Sequence, residues 1–411
     1  MINSILTGAR VIESSAFIAA PLCGLLLSQF GADVIRIDNI GGGIDYNRMP
    51  RLDGGRSLYW TSLNKNKRSI AINLRSTEGR EIVRNLVTAP GPQGGTLLTN
   101  VAASWLSHSQ LSASRQDVIS CTVEGNFDGS TAVDYTVQAA TGYPYMTGSA
   151  EGELVNNPLP AWDVICAHHA ATATIAAIVN RIATGSGAEI RIALSDIAFS
   201  TLSHLGMLTE ATLLPQSREA TGNFIFGAFG RDFETADGRR VMVAAISSRQ
   251  WASLVDACQA HTRLEQVERE CQANFAREED RFLHRESIAA VIEDWCKAKA
   301  YSEVAEAFDG HKVCWGTYQT IKEAAASDIR ASVSNPMFQE VMTPGIGNHS
   351  VAGSAIRESA HGPANVRPAP YLGNDTREVL GQVLGIGTQG YDDLINREIV
   401  AGPEKDPYYA G

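Results

Sequence analysis

"ARVIESSAFIAAPLCGLLLSQFGADVIRID", residues 9–38, contains two short apolar segments, near 10–14 and 33–37, on either side of a longer one at about 20–30. The short runs are typical of buried strands, and the longer run is typical of a helix that ends at Gly31 as its C-cap glycine. A strand–helix–strand unit with apolar strands predicts a parallel sheet covered on both faces. The first connection lacks the G-x-G-x-x-G pattern, so the standard dinucleotide-binding fingerprint is absent.

The alternation of short apolar runs and helical patterns continues beyond this unit and predicts an α/β fold with a Rossmann-like parallel sheet in a large domain. A helical pattern from 163 to about 183 is followed by a strand, and a further helix is predicted over 195–214. After about residue 222 the pattern changes to two strands that meet at Asp237-Gly238 and then to charged helices, which is typical of a smaller α+β domain. The predicted domains are 1–200 for the first part of the large domain, 201–223 for a linker helix, 224–325 for the small domain and 326–411 for a return to the large domain.

The composition excludes several classes of protein. The chain of 411 residues has a formal net charge of −11 and a pI of about 5.4, which argues against a general nucleic-acid-binding protein. An uninterrupted apolar run of about 18 residues is absent, so no membrane span is expected. The seven cysteines show neither a CxxC pattern nor a histidine at metal-ligand spacing, which predicts reduced thiols in a cytoplasmic protein and no metal site.

A lone carboxylate, Asp163, stands at the start of a long Ala-rich apolar run in residues 156–178, NNPLPAWDVICAHHAATATIAAI. No Lys or Arg follows until Arg181, so this stretch of sequence offers the carboxylate no salt-bridge partner. The residues alone favour an N-cap Asp for a helix that begins at residue 164, a role that is compatible with chemistry at the same carboxylate.

Several stretches, in order along nearly the whole chain, resemble the class III CoA-transferase family, which is the formyl-CoA transferase and carnitine CoA-transferase type. They are GARVIE…AAPLCGLLLSQFGADVIRID, LNKNKRSIAINLRSTEGREIV, DYTVQAATG, LPAWDVICAHHAA, RIATGSGAEIRIALSD and PAPYLGNDTREVL. The resemblance implies an interlocked homodimer whose substrate is the acyl-CoA thioester of a small dicarboxylic acid. It implies no cofactor, because CoA enters as part of the substrate.

The resemblance places Asp163 where the family has its catalytic aspartate. In the chemistry that this implies, Asp163 attacks the acyl-CoA carbonyl to give a mixed anhydride, and the CoA thiolate then attacks the aspartyl carbonyl. The aspartyl-CoA thioester passes CoA either to the other carboxylate of the same diacid, which is an isomerisation, or to a different acid. A third alternative is a non-catalytic acyl-CoA-binding protein, which would not need Asp163.

The same resemblance implies contacts with CoA in two places. Asn64, Lys67 and Arg68 match a strand lead-in that contacts CoA in the family, and Asn100 matches an Asn beside the bound pantetheine. The alternative for these residues is surface solvation or a turn.

Two departures from related patterns concern the branch of the family. Ile18 stands in the first βα loop, where the formyl-CoA branch has a Gln that contacts the aspartyl intermediate, so the resemblance places Ile18 among the residues that bind substrate or CoA. Val133 stands before Asp134, where the acyl-CoA racemases of the superfamily have a His before the Asp of a DxxxQA pattern. The racemase proton-transfer pair is therefore missing, which argues against a racemase.

Residues 227–230, GAFG, match a glycine loop that lies over the active site in relatives, so Gly227 and Gly230 are predicted to contact substrate or form a lid. The alternative is a strand bend, which glycines often mark. The free carboxylate of a bound diacid needs a cationic partner, most naturally a bidentate arginine. Arg48 and Arg231 lie in stretches that resemble the branch acting on such a diacid, with a surface ion pair as the alternative.

Overall fold

The computed structural model describes residues 4–101, 103–149, 151–359, 362 and 364–409. The outermost positions of the predicted large domain, 1–3 and 410–411, lie outside the described residues. The chain divides into two compact units. Unit 1 comprises the described residues within 1–141, 158–207 and 329–411, and unit 2 comprises those within 142–157 and 208–328.

The strands of the described residues are β1 (Arg10–Ser14), β2 (Asp33–Asp38), β3 (Arg68–Ile72), β4 (Thr96–Thr99), β5 (Ile119–Glu124), β6 (Ala188–Ala193), β7 (Phe229–Glu234), β8 (Arg240–Ala245), β9 (Trp315–Thr317), β10 (Phe338–Thr343), β11 (Gly347–Ala352) and β12 (Val400–Ala401). The α-helices are α1 (Ala19–Gln29), α2 (Leu58–Asn64), α3 (Thr77–Thr88), α4 (His108–Ser114), α5 (Asp134–Ala140), α6 (Tyr143–Met146), α7 (Ala161–Thr184), α8 (Leu194–His204), α9 (Met207–Leu213), α10 (Ser248–Ala257), α11 (His261–Cys271), α12 (Glu278–Leu283), α13 (Arg285–Lys297), α14 (Tyr301–Gly310), α15 (Ile321–Ser327), α16 (Thr376–Leu384) and α17 (Thr388–Asn396).

A single parallel sheet organises unit 1. Its spatial order is β3-β2-β1-β4-β5-β6, and β12 adds an antiparallel edge beside β3. In this doubly wound order the direction of winding reverses between β1 and β4, and ligands bind outside the carboxyl ends of the strands at such a reversal. Ile18 lies in the loop after β1 and Asn100 directly follows β4, so two predicted site residues lie at this place. The predicted α/β fold with a Rossmann-like parallel sheet is confirmed.

The two faces of the sheet differ in chemistry around β1, β2 and β3. Ile12 pairs in register with Ile35, and both belong to an apolar core formed with α3, α4, α16 and α17. On the opposite face Glu13 lies beside Arg36, which lies beside Ser69. All three of these polar residues are buried, so the strands are covered on both faces as predicted, but one of those faces is polar.

Arg36 is the centre of this buried polar face. Its guanidinium lies 3.2 Å from Glu13, 2.8 Å from Asp38 and 3.5 Å from Asp45, and the ammonium of Lys67 lies 2.9 Å from Glu13. Burial acts to lower the pKa of Arg36, but the surrounding carboxylates outweigh it and raise that pKa. Burial lowers the pKa of Lys67 to about 8, because Glu13 compensates only in part.

Gly24 of α1 lies directly against this cluster of charges. A Cβ at Gly24 would lie 1.8 Å from Glu13 Oε2 and 3.4 Å from Lys67 Cε. Lys67 Nζ also donates to the main-chain oxygen of Pro21 in the same helix, at 2.8 Å. The missing side chain of Gly24 therefore makes the space in which Glu13 and Lys67 meet beneath α1.

Helix α7 has 24 residues and begins earlier than the sequence indicates. It starts at Ala161, with Pro160 in the N-cap position, and ends at Gly185 in the left-handed conformation that favours glycine. Asp163 thus lies inside the first turn, and the alternative that it caps a helix beginning at residue 164 is wrong.

By length and composition alone α7 is apolar enough to cross a membrane. No span was expected from the sequence, because Asp163 and two histidines interrupt the apolar run. Within the protein 44% of the most apolar part of α7 is buried, and α7 packs against α1. Core helices of soluble proteins meet the same criterion, so the composition of α7 is weak evidence for a membrane span.

The single helix predicted over 195–214 is two helices, α8 and α9. Gly206 lies between them with a φ of 74°, a left-handed conformation that interrupts helical geometry. The helical structure stops at Leu213, so the predicted linker helix 201–223 is wrong in its second half.

Unit 2 contains the antiparallel sheet β7-β8-β9 and helices α10 to α14 around its own apolar core. It includes the whole predicted small domain 224–325, but it begins at 208 and also takes in 142–157. The backbone N–H of Gly222 donates to the oxygen of Gly148 at 2.7 Å, which joins the two segments of the unit. The predicted first part of the large domain is therefore interrupted by a contact between residues far apart in sequence.

Candidate active site

The N-terminal turn of α7 is held by α5. Asp134, the first residue of α5, is buried, and its Oδ2 accepts the backbone N–H groups of Trp162 at 2.7 Å and Asp163 at 3.1 Å. One turn later Gln138 accepts the indole N–H of Trp162 at 2.7 Å. The first N–H groups of a helix lack partners within the helix, and the N-cap residue Pro160 provides no side-chain hydrogen bond. Asp134 supplies the missing acceptor from another helix.

Asp163 is half-buried and no cation neutralises it. Among the described residues its one significant charged neighbour is Asp134, and no Lys or Arg forms an ion pair with it. Burial, followed by the negative charge of Asp134, raises the pKa of Asp163 to about 7. A carboxylate with such a pKa is more basic than an ordinary one and is still ionised in about half of the molecules near neutral pH. Asp163 therefore has the properties of a nucleophile.

Arg48 and Tyr59 belong to the same neighbourhood. The electrostatic neighbours of the Tyr59 hydroxyl include Arg48 and Asp163, and burial raises the pKa of Tyr59, so its hydroxyl is neutral and can donate a hydrogen bond. The guanidinium of Arg48 lies 5.5 Å from the ring centres of both Tyr59 and Phe17. Arg48 is exposed and forms no ion pair with a described carboxylate, so the surface ion pair that was its alternative is wrong. Tyr59 was not among the predicted site residues, because nothing in its local sequence pattern marks it.

The first βα loop is fixed through its backbone. The amide of Asn100 accepts the Ala16 N–H at 2.9 Å and donates to the Ala16 oxygen at 2.7 Å. Phe17 has a φ of 65°, which is unusual for a residue with a side chain, and its N–H donates to Asp45 at 3.0 Å. These contacts set the position of Ile18, which is half-buried at the start of α1. Direct contact of CoA with Asn100 or Ile18 stays a prediction.

The structure separates the predicted basic cluster. Lys67 and Asn64 are buried on the polar face of the sheet, where Lys67 Nζ donates to Asn64 Oδ1 at 2.9 Å, so surface solvation is wrong for both. Arg68 instead pairs with Asp33 at 2.5 Å and donates to Gln382 at 3.0 Å. The polar atoms of these side chains already form hydrogen bonds and ion pairs within the protein. In this structure the side chains therefore stabilise the sheet and its loops. Their direct contact with CoA stays a prediction.

A cavity of about 480 Å³ lies beside the carboxyl ends of β2 and β3. Asn39 and Asn73, which directly follow these strands, line it together with the exposed cations Arg75 and Lys405. The other lining residues are Ile40, Gly42, Ile395, Glu398, Val400, Ala401 and Glu404. Cations and amide donors at the ends of parallel strands suit a phosphate-bearing ligand. The position of Asn39 and Asn73 after predicted strands was the sequence signal that could have found this site.

In unit 2, Gly227 and Gly230 are the two predicted site glycines, and a different structural reason favours glycine at each position. Gly227 has a φ of 78°, and a Cβ there would meet open space. A Cβ at Gly230 would lie 2.6 Å from the Val243 oxygen and 2.8 Å from Ile225 Cδ1. Close packing therefore explains Gly230, whereas Gly227 is explained by a tight turn. A substrate contact at either glycine stays a prediction.

Arg231 is engaged within unit 2. Its guanidinium lies 4.8 Å from the ring centre of Phe224, and its Nε donates to the main-chain oxygen of Asp232 at 3.1 Å. Among the described residues no carboxylate forms an ion pair with Arg231, so the surface ion pair is wrong here as well. Its role as a carboxylate-binding residue stays a prediction.

Other reactive groups near Asp163 do not compete with it. Cys166 lies about one turn further along α7, and burial, followed by the charge of Asp163, raises the pKa of its thiol to about 12. All seven cysteines are free thiols. Within the described part of the chain no group of three or more His, Cys, Asp or Glu residues could hold a metal ion.

Comparisons with known proteins agree with this fold. The sequence model of CoA-transferase family III matches residues 6–376. The chain is 44% identical to 2-methylfumaryl-CoA isomerase of Chloroflexus aurantiacus, over 98% of this chain and 99% of that protein. It is 23% identical to succinyl-CoA:glutarate CoA-transferase of Homo sapiens, over 96% of this chain and 90% of that protein.

Among solved structures, a CAIB/BAIF family protein from Brucella suis superposes with a TM-score of 0.75 at 22% identity, covering 93% of this chain and all of that one. At this identity the likeness establishes the fold alone. The match to the family model and the relative at 44% identity both extend over most of the chain. The chain therefore belongs to CoA-transferase family III.

Proposed function

We propose that this protein catalyses intramolecular CoA transfer, converting 2-methylfumaryl-CoA (mesaconyl-C1-CoA) into 3-methylfumaryl-CoA (mesaconyl-C4-CoA). The observation that carries the proposal is the state of Asp163, a carboxylate with a raised pKa and no ion-pair partner among the described residues. The relative at 44% identity carries the name of this isomerase, which supports the choice of substrate.

The chemistry starts with attack of an Asp163 oxygen on the C1 thioester carbonyl. The C–S bond breaks, and a mixed anhydride and the CoA thiolate result. The thiolate then attacks the aspartyl carbonyl, so that an aspartyl-CoA thioester forms while mesaconate leaves with one oxygen of Asp163. The C4 carboxylate reverses both steps. One thioester is broken for each one formed, so the reaction requires neither ATP nor a further cofactor.

Holding CoA on the protein solves a geometric problem of the substrate. The carboxyl groups of mesaconate lie trans across a rigid double bond, so the C4 carboxylate cannot reach the C1 thioester directly. Retention of the diacid beside the aspartyl thioester keeps its effective concentration high, and exclusion of water protects the anhydride.

Arg48 is our candidate for binding the free carboxylate of the diacid. It is exposed, unpaired among the described acids and stacked against Tyr59, whose hydroxyl interacts with Asp163. A guanidinium binds a carboxylate through two parallel hydrogen bonds, which would orient the diacid. Arg48 does not count among the charges that perturb Asp163, so it can hold the substrate without quenching the nucleophile.

The cavity at the ends of β2 and β3 is our candidate for the phosphate-bearing end of CoA. Arg75 and Lys405 would meet the phosphates, while the loop that contains Ile18 would lie along the pantetheine. Asn64 and Lys67 support this arrangement from within the sheet, because they belong to the network that holds the first βα loop. Contacts of Gly227, Gly230 and Arg231 with substrate are carried over from the family resemblance.

We further propose that the protein is a homodimer without a membrane segment. Exposed apolar side chains on α7 and directly after α8 suit a second protein chain, among them Val179 at 59%, Ile182 at 81% and Leu205 at 63% exposure. Light scattering on the purified protein should give twice the mass of the chain. A stable monomer at micromolar concentration would contradict this part of the proposal.

Mass spectrometry of enzyme quenched during turnover tests the mechanism. A CoA adduct is expected on the peptide that contains Asp163, and hydroxylamine should inactivate the enzyme only when acyl-CoA is present. If neither occurs while acyl-CoA still binds, the protein is a non-catalytic acyl-CoA-binding protein.

Labelled free mesaconate tests whether the diacid is retained. Turnover of 2-methylfumaryl-CoA in an excess of labelled mesaconate should yield product with little label. Complete equilibration of the label would instead identify an intermolecular transferase, the activity named for the human relative.

A further inference from the structure

We propose that Asp134 is a positioning residue for the CoA transfer, because it orients Asp163 through the backbone of α7 and its negative charge favours the covalent states of Asp163, the anhydride and the thioester. This inference rests on the proposed function, since it assumes that Asp163 carries the acyl group and CoA in turn. Asp134 is not itself required to touch the substrate.

The geometry of Asp134 is that of a buried anchor. The residue is 3% exposed, and a single oxygen, Oδ2, accepts the N–H groups of Trp162 and Asp163. Among the described residues no Lys or Arg pairs with Asp134, so these two N–H groups are its stabilising partners. Burial raises the pKa of Asp134, while both of these hydrogen bonds lower it in part. A buried acid held in this way is sensitive to any movement of the first turn of α7.

The same contact changes the electrostatics of the nucleophile. The free N–H groups at the start of a helix ordinarily stabilise a nearby negative charge. Asp134 occupies the N–H of Trp162 and that of Asp163 itself, and it adds a like charge close to the Asp163 carboxylate. Tyr59 of α2 and Cys166 of α7 also interact with Asp163, and Arg48 faces Tyr59, but the second largest effect on the pKa of Asp163, after burial, comes from Asp134.

The repulsion between Asp134 and Asp163 changes during the reaction, because the negative charge leaves Asp163 when a covalent intermediate forms. When Asp163 forms the anhydride its negative charge moves to the CoA thiolate, and when the thiolate attacks, the charge moves to the released carboxylate. Asp163 is neutral in both covalent states. The repulsion from Asp134 therefore acts on the resting carboxylate and is relieved in the anhydride and the thioester, which favours their formation.

Asp134→Asn separates charge from shape. The amide oxygen can still accept both N–H groups, whereas the negative charge is gone. The acid limb of the pH profile of kcat/KM should move to lower pH by about one unit, because removal of a like charge lowers the pKa of Asp163. The fraction of enzyme trapped as the CoA adduct during turnover should fall by about tenfold, the equivalent of one pKa unit.

Asp128→Asn is the matched control, because Asp128 is an exposed carboxylate shortly before α5 that bonds to Ser130 and not to α7. It should leave both the pH profile and the adduct fraction unchanged. Asp134→Ala removes the acceptor as well and should lower kcat by about 100-fold while KM for acyl-CoA changes less than about threefold, as expected for lost positioning.

An Asp134→Asn variant with the pH profile and adduct fraction of the wild type would overturn the inference, as would an Asp134→Ala variant with unchanged kcat. A wild-type enzyme that never forms the adduct would defeat the proposed function instead. The two failures are therefore distinguishable in one set of measurements.

Discussion

Two groups of buried or half-buried carboxylates in unit 1 are treated in opposite ways. Beneath α1, Glu13, Asp38 and Asp45 surround Arg36, and Lys67 adds a second cation. At the start of α7, Asp134 lies close to Asp163 and accepts two backbone N–H groups of that helix. Among the described residues no cation pairs with either acid.

The difference teaches what each group of acids is for. Carboxylates that share buried cations have their charge compensated, and here they fix the shape of the loop after β1. At α7, burial and then the repulsion from Asp134 raise the pKa of Asp163 to about 7, which makes this carboxylate basic enough to attack a thioester. Pairing serves structure, and the lack of pairing serves chemistry.

The largest effect is expected from removal of the unpaired acid. Asp163→Ala should lower the rate of isomerisation by about 10⁴-fold or more, because the covalent route is lost, while acyl-CoA affinity stays within about tenfold. Steady-state kinetics and calorimetric titration measure both quantities. Asp196→Ala, which changes an exposed acid in the first turn of α8, is the control and should leave the rate unchanged. Residual Asp163→Ala activity within tenfold of the wild type would refute the assignment.

The next effect is expected from breaking the paired group. Arg36→Met removes the cation that three carboxylates share, and the free energy of unfolding should fall by roughly 3–5 kcal/mol because buried charges are left uncompensated. Urea denaturation followed by circular dichroism measures the change. A loss below about 1 kcal/mol would mean that these acids become protonated or hydrated at little cost, and the contrast between the two groups would disappear.

A smaller effect of opposite sign is expected for stability at α7. In the folded protein the pKa of Asp163 is raised to about 7, from about 4 in the unfolded chain. The ionised side chain therefore lowers the free energy of unfolding above pH 7, and this effect is absent below about pH 4. Asp163→Asn should therefore raise the free energy of unfolding by about 2 kcal/mol near pH 8, allowing for partial solvent screening. The gain should vanish near pH 4. A destabilised variant at pH 8 would show that Asp163 is stabilised by contacts.

The smallest effect is expected for an ion pair that water surrounds. Arg191 bonds Glu124 through two nitrogens, at 3.0 and 2.9 Å, on the exposed surface of β6. Arg191→Met should leave the urea midpoint unchanged within error, because exposed pairs contribute little. A clear drop in the urea midpoint would show that an exposed ion pair also stabilises this protein. Burial would then not be what distinguishes the Arg36 cluster from ion pairs on the surface.

Local patterns in the sequence predicted the part of the fold that local interactions decide. The strand–helix–strand unit was predicted within a residue or two at each boundary, since apolar runs and Gly31 determine it. Asp163 was predicted from the family resemblance, through the stretch LPAWDVICAHHAA that contains it. Both inferences use residues close together in the chain.

Contacts between distant residues could not be predicted in this way. Lys67 looked like part of a basic surface cluster, because its partner Glu13 lies 54 positions away in the sequence. The local pattern marks Asp134 only as the residue that follows Val133. Its role at α7 could not be predicted, because its contact with Asp163 spans 29 positions in the sequence. Residues 142–157 were assigned to the wrong domain for the same reason, since Gly148 bonds to Gly222.

Gly24 has a consequence for anyone who wishes to engineer a more heat-resistant version of this enzyme. Replacing a glycine inside a helix by alanine is a standard stabilising substitution, because it restricts the unfolded chain. At this position the new methyl group would collide with Glu13, 1.8 Å away, and push it off its cations. Positions 13, 24 and 67 therefore form a single design unit, in which one residue can be exchanged only together with the other two.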